Sequence, residues 1–380
     1  MKNISLFVVV LVGAFLFSPG SSLSAEAPGD AEGLLQQLNS LSPAERDKRL
    51  IEGAKKEGSL LWYAHWDLDE LNKLKAGFEK KYPFVKVNTL RMAGGRGLDR
   101  ILTEARAGRY LADLYYDGPR EAYVFYAKEK MAARNLTPHR RELYESQRDT
   151  EGYWVSLSLT LNTIAYNSEL VSGAEAPKNW DDLLHPRWRG KIAMDTEPDV
   201  MIEGLISVWG MQKTEEYLKK LARQNILLRR GHTLITQLLA AGDFPVAAEL
   251  YDYRVLELKR RGAPLELVLQ SPMPAATNAL MIPRQASRPH AAALLYDFLV
   301  SEEGQRIISL EIGRTPSRKG VPSLYRELDG VADRYQVAVN HPDLVGPHGD
   351  SVTKLIEEIF LSQRFRQKEL QDKLKKYERK

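Results

Sequence analysis

Apolar positions in the first third of the chain follow two different periods. Leu71, Leu74 and Phe78 recur at the three- and four-residue spacing that places side chains on one face of a helix. The runs 59–66 and 112–116 are instead short and largely apolar or aromatic, which is typical of buried strands. This strand–helix–strand order predicts a parallel sheet with helices on both faces.

The same alternation continues through the middle of the chain. Residues 155–166 form a long β-prone stretch, and Pro272 and Pro274 interrupt the pattern at 271–274. We interpret these two places as crossings of the chain between two lobes. The remaining predicted elements are strands at 191–194, 224–228, 244–250 and 265–269, and helices at 233–241, 253–261 and 291–300.

Helix signals also mark the two ends of the chain. Ser42 is followed by a proline and, three residues on, by Glu45, which is the pattern of a capping box. It predicts a helix over 43–56, after a weakly structured lead-in at 26–41. The last 30 residues, from Ser351, are predicted to form a helix whose many Lys and Arg side chains face the solvent.

The first 25 residues have the pattern of a secretory signal. Lys2 precedes an apolar run from Leu6 to Phe17, and small residues follow up to Ala25. The apolar core of about 12 residues is too short to span a bilayer, which requires roughly 20. No cysteine follows it, so a lipid anchor on a processed N-terminal cysteine is excluded. We therefore expect an exported, soluble, periplasmic protein after cleavage near Ala25.

Composition narrows the possible functions. A length of 380 residues with 43% hydrophobic and 27% charged residues predicts a folded protein of about two domains. The net charge of +4, from 54 basic and 50 acidic residues, is too small to predict nucleic-acid binding. The absence of cysteine excludes disulfides, thiolate metal sites and cysteine nucleophiles.

Conventional catalytic motifs are absent from the sequence. None of the 7 histidines has the spacing of a zinc-binding helix, and neither a Gly-x-Ser-x-Gly elbow nor a phosphate-binding Gly-x-x-x-x-Gly-Lys-Ser/Thr loop occurs. The glycine-rich segment 94–97 precedes a predicted helix and contains Arg96. Its backbone donors suit an anion, but a plain turn explains the same pattern equally well.

Four segments together resemble a known family. They are 177–192, 298–305, 162–167 and 61–65, and the first is the most specific. Over roughly residues 55–320 the chain is similar to exported solute-binding proteins of ABC importers, and in particular to the ferric-ion-binding branch of the type 2 periplasmic binding proteins. The resemblance implies an α/β fold of two lobes, each a mainly parallel sheet flanked by helices, joined by two β crossovers.

The resemblance also implies a division of the chain and a mode of action. A solute is held between the lobes, and hinge closure buries it. The expected partners are a small solute or ferric ion and an ABC permease in the inner membrane; we expect no nucleic acid and a monomeric protein. The expected units are the signal 1–25, an N-terminal lead-in and helix 26–58, a first lobe 59–157 and 275–380, and a second lobe 158–274.

Candidate ligand-binding residues follow the predicted strands, because solutes bind α/β sheets at strand ends and helix starts. From the first lobe the candidates are His65, Trp66, Arg96 and Asp117. From the second lobe they are Asp195, Glu197, His232, Glu249, Tyr251, Asp252 and Tyr253.

Within this set the resemblance offers His65, Tyr253 and Asp252 to a metal ion. Ferric binders of the family use tyrosines, often an adjacent pair, and many add a histidine after the first strand; phenolate and carboxylate oxygens suit ferric iron. Tyr253 falls on the second tyrosine of the pair and His65 on the histidine, but Asp252 replaces the first tyrosine. The family's small anion-holding residues are replaced by acidic ones, including Asp195. No cofactor is predicted, and iron enters only as a transported ligand.

Several functions therefore stay open. Within a solute receptor, the tyrosines favour ferric iron, the acidic residues favour an amine-bearing solute, and Arg96 with its glycine loop favours an anionic one. A receptor that presents its ligand to a membrane sensor would have the same sequence features. We predict no enzyme activity, since nothing marks an acid and a base, and the related two-lobe deaminase architecture needs a cysteine to hold its cofactor.

Overall fold

A computed structural model of the protein describes residues 29–92 and 95–361. Three parts of the chain lie outside the described residues. They are residues 1–28, which include the predicted signal at 1–25, residues 93 and 94 at the start of the glycine-rich segment, and the tail beyond 361. Within the described parts, no helix is both long and apolar enough to cross a membrane.

Thirteen strands and thirteen α-helices make up the described chain. Strands β1 to β13 are Ser59–Ala64, Lys86–Arg91, Leu114–Asp117, Ala132–Ala133, Ser158–Asn167, Ile192–Asp195, Leu227–Arg229, Val246–Tyr251, Leu265–Val268, Met273–Thr277, Ala279–Pro283, Thr315–Pro316 and Val337–Asn340. Helices α1 to α13 are Ala31–Asn39, Pro43–Glu57, Leu68–Lys81, Arg96–Arg106, Pro119–Tyr123, Asp199–Trp209, Met211–Ala222, His232–Ala241, Asp252–Arg260, Pro289–Val300, Glu302–Arg306, Val331–Arg334 and Pro342–Ile356. Short π-helical turns extend α5, α11 and α13 over Val124–Lys128, Ile307–Ile312 and Glu357–Leu361.

The first sheet has five strands in the order β2-β1-β3-β11-β4. β1 runs parallel to β2 and β3, whereas β11 is antiparallel to β3 and β4. Helices α2, α3 and α10 bury their apolar faces in the core of this lobe, with Leu74, Phe78 and Phe298 among the buried side chains. Burial of such side chains is the main stabilising contribution to an α/β lobe.

The second sheet follows the order β13-β10-β5-β8-β6-β7, and β9 and β12 also pair with β5. The parallel pairs are β6 with β7 and with β8, and β10 with β13. The chain enters this lobe through β5 and leaves it through β10, and these two strands are antiparallel. β5 is also antiparallel to β8. The α/β fold of two helix-flanked sheets predicted from the sequence is thus confirmed.

The chain crosses between the sheets at the start of the predicted stretch 155–166 and returns at Asn278, a few residues after the break predicted at 271–274. Val155 bridges to Leu280 in the first sheet, and only three residues later β5 begins in the second. The return is shorter still, since only Asn278 separates β10 in the second sheet from β11 in the first. Such short paired crossovers leave two lobes that face each other across a cleft.

The C-terminal part of the structure differs from the expected division of the chain. The sequence assigned all of 275–380 to the first lobe, but β13 pairs with β10 in the second sheet. α13 then packs on both α5 of the first lobe and α6 of the second. The physical reason is the edge of β10, whose backbone groups need a partner strand. The segment 337–340 supplies one, although it is too short to show a strand pattern in the sequence.

The N-terminal segment is also more regular than expected. Residues 26–41 were predicted as a weakly structured lead-in, but α1 forms there and is capped by Asp30, whose Oδ1 accepts a hydrogen bond from Gly33 N at 2.8 Å. The capping box of α2 is present as predicted: Glu45 N donates to Ser42 Oγ and Ser42 N donates to Glu45 Oε2. Both helices pack against the first lobe, and the carboxylate of Glu57 accepts hydrogen bonds from the first backbone N–H groups of α10.

Candidate functional site

The ends of β1 and β3 in the first lobe and of β6, β7 and β8 in the second carry most of the predicted ligand residues. His65 and Trp66 directly follow β1, and Asp117 ends β3. In the second lobe, Asp195 ends β6 and His232 begins α8. The remaining second-lobe candidates lie on β8, at the start of α9 or just after β6: Glu249, Tyr251, Asp252, Tyr253 and Glu197.

His232, Asp195 and Glu249 form a buried cluster in the second lobe. His232 Nε2 lies 2.6 Å from Glu249 Oε2, and Nδ1 lies 3.3 Å from Asp195 Oδ2. Both ring nitrogens therefore face a carboxylate. Burial alone would lower the pKa of His232, but the charges of Glu249 and Asp195 outweigh it and raise the pKa to about 9. The imidazole is accordingly protonated at neutral pH.

The two carboxylates of this cluster have their lone pairs occupied by the protein itself. Asp195 accepts hydrogen bonds from the backbone N–H groups of Glu197 and Gly231, at 3.1 and 2.9 Å. Glu249 accepts from Asp195 N at 2.8 Å and from Asn162 Nδ2 at 3.0 Å. Carboxylates that are bonded on both oxygens are structural supports, and they offer little to a cation in the cleft.

A column of planar groups leads from this cluster across to the first lobe. His232 stacks on Tyr251 with ring centroids 4.1 Å apart, and Tyr251 lies nearly parallel to Tyr253 at 6.0 Å and 11°. The guanidinium of Arg314 lies 4.2 Å from the centroid of Tyr253 and 4.4 Å from that of Trp66. Arg314 thus joins an aromatic group of each lobe through cation–π contacts.

Arg314 is held in this position by the first lobe. Its Nε and Nη2 donate to Glu70 Oε1 and Oε2, at 2.8 and 3.1 Å, which is a bidentate pair. The side chain is only 8% exposed. The sequence analysis missed Arg314, and it contained no signal for it, since Gly313 and Thr315 beside it form no motif and its partners lie far away in the chain.

The first-lobe wall contains a neutral histidine. The ring of His65 stacks on Tyr116 with centroids 4.9 Å apart, and Nδ1 lies 3.2 Å from the carbonyl oxygen of Tyr116. Burial lowers the pKa of His65 to about 4. The neighbouring Asp117 is also buried, with Oδ1 bonded to Gly118 N and Oδ2 to the hydroxyl of Tyr115, both at 2.8 Å.

Asp252 is buried at the start of α9. Its Oδ2 accepts a hydrogen bond from Thr315 Oγ1 at 2.8 Å, and burial raises the pKa of the carboxyl group to about 6. Of the three residues offered to a metal, Asp252 is therefore bonded to Thr315, His65 lies against Tyr116, and Tyr253 packs against Arg314. The described residues contain no group of three or more His, Asp or Glu side chains that could hold a metal ion.

Two predicted residues lie nearer the surface. The carboxylate of Glu197 is 70% exposed and lies 3.6 Å from Arg230. Arg96 begins α4 and lines a shallow surface cavity together with Asp99 and Arg100.

Ion pairs connect the lobes beside the column. Arg254 of α9 donates to Asp67 at 3.1 Å, and Asp67 also accepts from Arg91 of its own lobe at 2.8 Å. On another side, Arg120 of α5 donates to Glu203 of α6 at 2.9 Å. A cavity of about 490 Å³ opens between α3 and α9, with Asp67, Arg254, Glu70, Tyr253 and Glu257 among its lining residues. This volume lies in the range of small-molecule sites.

Two lobes with aromatic and charged groups at their facing strand ends define a solute-binding protein. A sequence model of bacterial extracellular solute-binding proteins matches residues 123–331, more than half of the 380-residue chain. The protein therefore belongs to the bacterial extracellular solute-binding protein family, which is a family of binding proteins.

Individual relatives are distant in sequence. The chain is 26% identical to an uncharacterized protein of Haemophilus influenzae over 246 residues, which are 60% of this chain and 69% of the relative. It is 23% identical to an Fe(3+)-binding periplasmic protein of Serratia marcescens over 159 residues, which are 41% of this chain and 46% of the relative.

Solved structures show the same two-lobe fold. Trichodesmium IdiA (FutA), in complex with iron and citrate, matches 80% of this chain and 99% of its own with a TM-score of 0.67 and 20% identity. AfuA from Actinobacillus pleuropneumoniae, with bound fructose 6-phosphate, matches 80% of this chain and 97% of its own with a TM-score of 0.62 and 20% identity. Since one structure contains iron and the other a sugar phosphate, the shared fold does not determine the ligand.

Proposed function

We propose that this protein is an extracytoplasmic receptor that captures a small organic solute carrying an anionic group. The solute binds between the two lobes, hinge closure buries it, and the closed protein delivers it to an ABC permease. Membership in the extracellular solute-binding family supports capture outside the cytoplasm. The lobes and their two short crossovers support a hinge, because the chain passes between the two sheets there within a few residues.

The observation that carries the ligand class is the cation–aromatic column. Arg314 and the protonated His232 stand at opposite ends of the tyrosine pair Tyr251 and Tyr253. The acidic residues that favoured an amine-bearing solute, in contrast, are occupied by internal hydrogen bonds. Planar aromatic faces bind organic groups, and Arg314 adds a guanidinium at the first-lobe end of the column, where Glu70 is its carboxylate partner.

Ferric iron is a second candidate, favoured by the tyrosines. Tyr251 and Tyr253 are nearly parallel and partly exposed, and relatives of this fold include an Fe(3+)-binding protein and an iron-and-citrate complex. The guanidinium of Arg314 at 4.2 Å from Tyr253 counts against it, because its charge opposes a trivalent cation at that phenol. Asp252, which replaces the first tyrosine of the pair, bonds to Thr315.

Titration calorimetry with three probes distinguishes these ligand classes. Fructose 6-phosphate represents an organic anion, putrescine an amine-bearing solute, and ferric citrate the iron ligand, with citrate alone as its control. We expect heat from the organic anion and none from putrescine, and we expect ferric citrate to produce no tyrosinate-to-iron absorption band. Tyr253→Ala should weaken anion binding, while Tyr166→Ala, at a tyrosine remote from the column, should not.

Two results would contradict the proposed ligand class. Binding of putrescine without binding of any organic anion would show that the acidic residues recognise the solute despite their internal bonds. A visible charge-transfer band with ferric citrate that disappears in Tyr253→Phe would establish the ferric receptor instead. Mass spectrometry of solutes that copurify with the protein extends the test beyond the chosen probes.

A further inference from the structure

We propose a second binding site, outside the cleft, for a small organic anion with an apolar body. A cavity of about 940 Å³ lies between the N-terminal helices α1 and α2 and the segment 136–150 of the first lobe. Its lining includes Leu38, Leu41, Leu136, Arg140, Arg141 and Arg148. None of the cleft residues described above lines it, so this inference is independent of the solute that the cleft binds.

A buried arginine supplies positive charge to the cavity. Arg46 of α2 lines it and is only 2% exposed. Its Nη2 donates to Asn135 Oδ1 at 2.8 Å and lies 3.0 Å from Asp297. Nε and Nη1 of Arg46, and Nδ2 of Asn135, have no hydrogen-bond partner in the described ranges 29–92 and 95–361. Buried donors without partners are costly unless something else satisfies them.

Three further arginines, Arg140, Arg141 and Arg148, line the cavity. Arg140 carries a buried Nε that also has no partner among the described residues, whereas Arg148 donates to the Arg140 carbonyl oxygen at 2.7 Å. Glu145 is the carboxylate of the lining; it lies 3.8 Å from Arg148 and is 88% exposed, which makes this pair weak. Burial and then the charge of Arg148 lower the pKa of Arg140. The cavity therefore has an excess of positive charge, with four arginines in the lining against Glu145 in the lining and Asp297 beside Arg46.

A neighbouring histidine lies beside the same buried arginine. His139 lines an adjoining cavity of about 350 Å³ that also contacts Arg46. Burial lowers the pKa of His139, and although Asp297 opposes this change, Arg318, Lys81 and Arg46 reinforce it.

The shape and lining of the cavity define the ligand class. Guanidinium groups recognise planar or tetrahedral oxyanions, so the charged part is a carboxylate or a phosphate. The leucines at 38, 41 and 136 form an apolar wall that would contact a hydrocarbon or ring portion. Helices α1 and α2, which build one side, lie outside the residues that match the family model.

Ligand-detected NMR titrations with three related probes test the site. Benzoate and phenyl phosphate carry the two possible oxyanions on the same ring, and benzyl alcohol is their uncharged counterpart. We expect both anions to bind the full mature protein and benzyl alcohol to bind at least about tenfold more weakly, because it forms no charge-assisted hydrogen bond. The stronger of the two anions identifies the oxyanion that the site prefers.

Variants locate the binding. The double change Arg140→Gln and Arg141→Gln should weaken the anions at least about tenfold. Arg134→Gln removes the same kind of charge from a position just before the segment 136–150 and outside the lining, and Tyr253→Ala alters the cleft; neither should change the affinity. Arg46 is not used as the main variant, because its pairing with Asp297 makes stability and binding difficult to separate. Thermal unfolding of each variant confirms that it is folded.

Three outcomes would overturn the proposal. Absence of binding by both anions at millimolar concentration would remove the site. Equal binding of benzyl alcohol would show that the leucine wall acts without the arginines. An equal loss in Arg134→Gln, or a loss confined to Tyr253→Ala, would assign the effect to general surface charge or to the cleft.

Discussion

A single buried histidine of the second lobe interacts with carboxylates from two neighbouring strands. His232 lies between Asp195 and Glu249, and its pKa is raised to about 9 by their charges against the effect of burial. Removal of that proton would leave two carboxylates close together without the cation between them. The protonation state of His232 is therefore coupled to the stability of this lobe.

The first prediction is a pH dependence of folding that depends on His232. Because its folded pKa of about 9 exceeds the unfolded value, its stabilisation is fully present below about pH 6.5 and is lost as the pH rises through about 9. This shift corresponds to about 3 kcal/mol of unfolding free energy. Urea unfolding at pH 6.5 and pH 9.5 should show a smaller difference for His232→Gln than for the wild type.

The control for this experiment is His348→Gln, which changes an exposed histidine of α13. It should keep the wild-type dependence on pH. An unchanged pH difference in His232→Gln would show that the cluster does not hold the proton in the folded state.

At this scale the sequence identified the residues but not their partners. His232, Asp195 and Glu249 were predicted as ligand-binding candidates because they lie on or just after predicted strands or begin a predicted helix. Their mutual hydrogen bonds depend on side-chain rotamers, which no sequence pattern specifies. The role of Arg314 could not be predicted from the sequence for the same reason, because its contacts with Trp66 and Tyr253 exist only after both lobes have folded.

Single elements depend on their ends and on their closest approaches to neighbours. α2 begins with the reciprocal bonds of Ser42 and Glu45, and α13 approaches α5 so closely that a Cβ added at Gly346 would lie 2.3 Å from the ring of Tyr123. Both features involve one small or polar residue. In α13, two glycine substitutions are therefore expected to change the free energy of unfolding in opposite directions.

The second prediction concerns the cap of α2. Ser42→Ala removes the side-chain acceptor for Glu45 N, and loss of such a cap costs about 1 kcal/mol of stability. Chemical unfolding measures the loss. Ser168→Ala, at an exposed position, is the matched control and should stay within about 0.5 kcal/mol of the wild type. Equal stability of the two variants would mean that solvent replaces the cap without cost.

The third prediction compares two glycines of α13. Gly346→Ala forces the helix or Tyr123 to move and should cost about 1 to 3 kcal/mol, as overpacking does. At Gly349 the nearest atom to an added Cβ is in Arg120 at 3.9 Å, so Gly349→Ala should stabilise the helix by roughly 0.5 to 1 kcal/mol. Thermal unfolding of both variants checks the opposite signs. Stabilisation by both would show that α13 does not pack tightly on α5.

Strong local signals explain which elements were predicted from the sequence. The capping box predicted α2, and short apolar runs predicted most strands of both sheets. The strand β13 was missed because its four residues carry no detectable period, and it exists to satisfy the edge of β10. The start of α13 at Pro342 was missed too, since Gly346 and Gly349 lower the helix propensity of its sequence.

At the scale of the whole molecule, ion pairs link the two lobes in addition to the contacts of α13 and Arg314. Arg254 and Asp67 link α9 to the segment after β1, and Arg120 and Glu203 link α5 to α6. The partly exposed pair of Arg254 and Asp67 contributes at most about 1 kcal/mol, whereas Glu203 is buried and its pair with Arg120 is less screened by solvent. The pair of Arg254 and Asp67 therefore holds the relative position of the lobes only weakly, as the proposed hinge closure requires.

The fourth prediction tests this weak link. Because the chain has no cysteine, Leu68→Cys and Leu234→Cys, at exposed positions of α3 and α8, give two unique sites for spin labels, one on each lobe. Without ligand, Arg254→Ala should shift the distance distribution toward longer values, by no more than about a fivefold change in population. Pulsed electron paramagnetic resonance measures the distribution.

Arg261→Ala is the matched control, because Arg261 pairs with Glu257 on its own helix at 2.7 Å. It should leave the distances unchanged. A distribution that is identical in Arg254→Ala and in the parent would show that the pair with Asp67 does not restrain the lobes.

The shared carboxylate of Asp67 has a consequence for how long a solute stays bound. When the lobes separate, Asp67 keeps Arg91 and Arg254 keeps Glu257, at 2.8 and 3.2 Å in the present structure, so neither charge is left alone in water. Reopening therefore loses little electrostatic energy within the protein itself. The dwell time of the solute is then determined by the contacts that the solute makes, and an empty receptor is free to open again for the next encounter.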